Sequence, residues 1–83
     1  TAEVLADQIG LYPNPTDGLL NIVAPGVGIN SVSVYDLQGR LVTYEQINVN
    51  NVFQLDVNKL NTAVYLLVID TDRGELRKQF VKR

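Results

Sequence analysis

Asp70 and Asp72 stand two residues apart, so in an extended segment both carboxylates project from one face. Such a pair could share a proton as an acid and a base, or begin a calcium site. Neither chemistry finds support around it. No Asp-x-Asp-x-Asp-Gly loop follows, and nothing nearby marks the two pKa values as matched to a task. The chain has no Cys and no His, Met or Trp, which removes the usual nucleophile, the usual general base and the commonest transition-metal ligands. No glycine-rich phosphate cradle is present. The chain is therefore expected to be neither an enzyme nor a metal or cofactor carrier.

Charge is distributed unevenly. Residues 73 to 83 hold Arg73, Arg77, Lys78, Lys82 and Arg83 against Glu75, a net +4. The first 72 residues hold two basic against eight acidic residues, a net −6. Basic residues without interleaved aromatics, set on an acidic body, argue against nucleic acid as a partner.

The elements that must carry these residues read as all β. Short segments rich in Val, Ile, Leu and Tyr recur between clusters of Gly, Pro, Asn and Asp, the pattern of a sandwich or barrel. Strands are expected near 9–12, 19–24, 31–36, 41–48, 52–56, 64–71 and 76–82. Seven strands in 83 residues predict a single Ig-like antiparallel β-sandwich over residues 9–83, preceded by the end of a linker at residues 1–8. Val32 and Val34 alternate with Ser31 and Ser33, which buries one face. Val64 to Ile69 is apolar on both parities, as in a strand covered on both faces or paired at an interface. Pro25 to Gly28 is read as a break, Gln38-Gly39 as a turn, Asn50-Asn51 as a tight hairpin, and Asp72-Arg73-Gly74 as the last one. With no initiator Met and no signal peptide, the chain reads as a piece of a longer protein.

Several stretches carry a local structural role. Pro13 and Pro15 fix φ and bracket Asn14 in a rigid turn completed by Asp17 and Gly18. Asp36, Gly39 and Arg40 form a hairpin turn in which the Arg fork could bond backbone carbonyls. Tyr35 and Tyr65 read as core-edge residues with wet hydroxyls. On the last strand Leu76 and Phe80 share one face. Its Lys and Arg residues either protect an edge or suit docking onto a negatively charged loop or barrel rim.

Four elements occur in order: Leu11-Tyr12-Pro13-Asn14-Pro15 with Gly18; Val34-Tyr35-Asp36-Leu37-Gln38-Gly39-Arg40; Leu60 followed by Val64-Tyr65-Leu66-Leu67-Val68; and Lys78-Gln79-Phe80-Val81-Lys82-Arg83. Over about residues 11 to 83 the chain resembles the C-terminal sorting domains of type IX secretion cargo in Bacteroidetes. One departure is visible: Ala63 stands where that family usually has Gly, and would be strained if the position needs φ > 0.

The resemblance implies a secretion signal in place of an activity. A folded cargo joined N-terminally would pass the periplasm, meet the outer-membrane translocon and its shuttle protein, and be released or attached at the surface once a sortase-like protease removes this domain. It places recognition on Lys78, Phe80, Val81, Lys82 and Arg83, with Phe80 to Arg83 needed for export and their loss costing the fold little. Pro13, Asn14, Pro15, Gly18, Asp36, Gly39, Arg40 and Tyr65 would be structural. A strand able to pair in trans can also swap, so a domain-swapped homodimer is expected in isolation. Composition alone also allows an Ig-like or fibronectin-like accessory domain that binds carbohydrate or acts as a spacer.

Overall fold

A computed structural model describes residues 9–83. They form five antiparallel strands: β1 (Gly10–Tyr12), β2 (Leu19–Tyr35), β3 (Leu41–Asp56), β4 (Ala63–Thr71) and β5 (Gly74–Lys82). The strands pair in the order β1-β2-β4-β5, and β3 adds to β2. The all-β antiparallel expectation holds, but the seven-stranded sandwich is replaced by five strands curled into a half-barrel.

The strand count differs because two long strands bend where separate strands and turns were expected. In β2 the buried residues are Leu20, Ile22 and Ala24, then Val27 and Ile29, then Val32 and Val34. The inward parity thus switches twice. One switch falls between Ala24 and Gly28 and the other between Ile29 and Ser31, two of the three places where the register with β3 slips. A bulge shifts the side-chain phase by one residue and bends the strand, so the chain turns a corner without leaving the ladder. Gly26, at φ +74°, supplies the left-handed conformation the first bulge needs.

Asn50-Asn51 likewise closes no hairpin. Asn50 pairs with Gly28 and Asn51 with Ala24, opposite that bulge. Asn51 sits at φ +71° and its Oδ1 accepts from the Gly26 amide at 2.9 Å. Asn48, at φ +52°, marks the second slip on the β3 side. Asn tolerates these angles, so turn residues here serve bulges.

The corner divides the labour of β2. Its first part is flanked by β1 and the second part of β3, and its last part by β4 and the first part of β3. The two sheet portions face each other across one core of Ile9, Leu20, Ile22, Val27, Ile29, Val32, Val34, Leu55, Val57, Leu67, Ile69, Leu76 and Phe80, with Tyr65 at its edge. β3 pairs only with β2 and stays mostly exposed.

The remaining turns are side-chain braced. Asp36 Oδ1 accepts from the amides of Gln38 (2.9 Å) and Arg40 (3.0 Å), and Asp36 Oδ2 takes Arg40 Nε at 2.8 Å. The Arg fork therefore bonds a carboxylate instead of the expected carbonyls, and the carboxylate is the brace. These donors, the Arg40 amide first, hold the Asp36 carboxyl below its usual range despite some desolvation. Gly39 at φ +85° closes the turn as expected. Asp56 repeats the device, its Oδ1 accepting from the Asn58 amide at 2.9 Å, which lowers its pKa too. At the last hairpin Thr71 Oγ1 donates to the Gly74 carbonyl at 2.6 Å and accepts from the Arg73 amide at 3.1 Å. Ala63 opens β4 without positive φ, so the expected strain does not arise.

Candidate recognition surface

β5 pairs with β4 from Gly74↔Thr71 to Lys82↔Ala63. Alternation along an antiparallel strand sends Leu76, Phe80 and Lys82 inward and Glu75, Arg77, Gln79, Val81 and Arg83 outward. Phe80 is fully buried and stacks on Tyr65, with ring centroids 5.6 Å apart. The Tyr65 hydroxyl donates to the Asn61 carbonyl at 2.8 Å, so it is bonded within the fold. Lys82 is only 7% exposed, its Nζ donating to the Arg83 carbonyl at 2.8 Å. Lys78 is half-buried beside Leu11, Asn14 and Gln79.

The basic cluster is thus displayed unevenly. Arg77 and Arg83 face solvent, each in an exposed ion pair: Arg77 with Glu75 at 3.5 Å and Arg83 with Asp17 at 3.2 Å. Arg73 lies at the far hairpin, its Nη2 3.5 Å from the Gly26 carbonyl. The expectation that losing Phe80 to Arg83 costs the fold little is corrected: the segment carries a core aromatic and a buried lysine stem.

Of the two edges of β5, β4 takes one. The other is covered in its last part by the Asn14–Thr16 segment. Asn14 Oδ1 accepts from the Val81 amide at 3.0 Å, and Asn14 Nδ2 donates to the Gln79 carbonyl at 3.3 Å. The Thr16 amide donates to the Val81 carbonyl and the Arg83 amide to the Thr16 carbonyl, both at 2.8 Å, which makes a parallel bridge between Thr16 and Lys82. Thr16 is fully buried; its Oγ1 donates to the Leu19 carbonyl at 2.6 Å and accepts from the Gly18 amide at 3.3 Å. Gly18 is tied in turn, its carbonyl accepting from the Val57 amide at 2.7 Å. Both X-Pro bonds around Asn14, Tyr12–Pro13 and Asn14–Pro15, are cis.

The structure therefore joins two sequence motifs read separately. Asn14, between Pro13 and Pro15, and Thr16 bond Gln79 to Arg83, and Gly18 is tied to Thr16 and Val57, whereas Asp36, Gly39 and Arg40 brace a turn at the β2–β3 junction. Thr16 was not singled out in the sequence, because a lone Thr carries no signal of pairing with a strand 66 residues away. Beside β5, Val64, Leu66 and Val68 of β4 are half-buried, on the opposite parity to the core residues Tyr65, Leu67 and Ile69. Their apolar parity is the sequence signal for this face. Among the described residues no three His, Cys, Asp or Glu side chains converge on a metal position.

The model of the secretion system C-terminal sorting domain family matches residues 10–83, from the first residue of β1 to the final arginine. The chain belongs to this family. It is a C-terminal sorting signal of type IX secretion, and this decides between a sorting module and a carbohydrate-binding accessory domain. The domain accordingly works with the type IX machinery on a cargo joined at its N-terminal side, destined for the surface or medium, with the tail removed. No curated protein matches the chain.

Proposed function

We infer that the sorting domain is read through β5 and the sheet face beside it: Arg77 and Arg83 supply positive charge, and Val81, Val64, Leu66 and Val68 supply an apolar stripe. The observation that carries this reading is the placement of the family's closing segment, Lys78 to Arg83, along a sheet edge held by the family's opening motif. Phe80 and Lys82 shape the strand from beneath, and Lys78 borders it. A partner presenting a negatively charged rim with apolar side chains fits such a surface. The partners in this reading are the outer-membrane translocon and its shuttle protein, met after the folded cargo crosses the periplasm. A sortase-like protease then cuts ahead of β1. The domain itself performs no catalysis, and in isolation it forms a homodimer by exchanging β5, which light scattering above 9.2 kDa would register.

Removal of Phe80 to Arg83 would unfold the domain and mask recognition, so charge reversal is the better test. Residues 1 to 83 are fused behind a signal peptide and reporter in a bacterium with type IX machinery. Arg77→Glu with Arg83→Glu is expected to hold the reporter in the periplasm while the urea midpoint stays within about 0.5 kcal/mol equivalents of the parent. Undiminished export of this variant would overturn the reading.

A further inference from the structure

We propose that Asn14 and Thr16 act as a surrogate strand that holds the Gln79–Arg83 segment in the form the secretion machinery recognises, which makes Asn14 a positioning residue for export. The inference rests on the reading of β5 given above.

The chemistry of the segment explains why an asparagine does this. A strand edge offers amides and carbonyls in alternation, and a neighbour must answer each with its opposite. Pro13 and Pro15 have no N–H to give, so the backbone on either side of Asn14 cannot supply the donors of an ordinary strand. The Asn14 side-chain amide carries one carbonyl and one NH2, the same pair of functions as a peptide unit. It presents both to β5, accepting from Val81 N and donating to Gln79 O. Thr16, beyond the second proline, resumes the ladder with its own amide and carbonyl.

Two consequences follow. The outward backbone groups of Val81, the Gln79 carbonyl and the Arg83 amide are already paired, so an added strand must displace Asn14 and Thr16 to use them. The displayed side chains of Gln79, Val81 and Arg83 are instead fixed in register with one another. The surrogate strand is also a dead end for further pairing, because its prolines offer no donors to a third chain.

Asn14→Ala, Asn14→Asp and Val34→Ala are compared in the same fusion and as isolated domains. Asn14→Ala removes two exposed bonds and is expected to speed amide exchange at Val81 by roughly tenfold while the urea midpoint barely moves. Export is expected to fall by a similar factor. Asn14→Asp keeps the acceptor for Val81 and loses the donor to Gln79, and recovers part of the export. Val34→Ala opens a cavity in the core but leaves the surrogate strand intact, so it exports better than Asn14→Ala despite its lower urea midpoint. Export that simply tracks the urea midpoint across the variants, or Val81 exchange unchanged by Asn14→Ala, overturns the inference. Equal export with and without Asn14 overturns this inference alone, whereas full export of the Arg77→Glu, Arg83→Glu variant overturns the parent reading.

Discussion

Single side chains in this domain do work that their sequence neighbourhoods conceal. Thr16 is buried with its hydroxyl both donating and accepting, so Thr16→Val strands the Leu19 carbonyl and the Gly18 amide; urea unfolding is expected to show a loss of about 1–3 kcal/mol. Phe80→Ala removes a core ring and is expected to cost about 3–5 kcal/mol, a large part of the roughly 4–12 kcal/mol available to a domain of this size. A tail variant that fails in export must therefore be shown to be folded before recognition is invoked. Asp36 and Asp56 have folded pKa values below the usual carboxylate, so the unfolded chain binds more protons between the two values. Their contribution is complete above the unfolded value of about 4 and lost as pH falls through the folded one. Urea midpoints measured downward from pH 7 should drop in acid, and Asp36→Asn should flatten that drop.

At the scale of elements, most strand positions were legible in the sequence and the connections between them were only half so. The segments at 19–24 and 31–35 are both strand, as are 41–48 and 52–56, because alternation and β-branched residues report extended backbone wherever it occurs. Pro-Gly and Asn-Asn report a departure from the regular ladder without saying whether the chain reverses or bulges. That choice is set by pairing across the sheet, through the Asn51 bond to Gly26 and the slips of register at Ala24/Gly28 and Ile29/Ser31, which are long-range facts. The turns at Gly39 and Gly74 were legible because their bonds are local. Phe80 was placed on the correct face, but its burial depends on Tyr65, and the role of Asn14 depends on a strand 65 residues later. Gly26→Ala tests the corner directly. A Cβ there meets nothing within 4 Å, so the expected loss of about 1–2 kcal/mol in a denaturant titration comes from the backbone angle alone.

At the scale of the molecule, β2 and β3 belong to both halves of the half-barrel, so neither half holds a complete sheet of its own. Unfolding followed by tyrosine fluorescence and by circular dichroism is expected to give coincident transitions. The bridge between Thr16 and β5 bears on this whole in a mechanical sense. The two segments run parallel, so tension applied between Ile9 and Arg83 slides them along each other and loads the Asn14 and Thr16 bonds together. Bonds loaded side by side in shear resist until all of them yield, whereas a hairpin pulled open gives way one rung at a time. A domain that tows its cargo from one end and is gripped near the other would thus meet the pull with its strongest geometry, and the short motif that opens the fold would serve as its tow hitch.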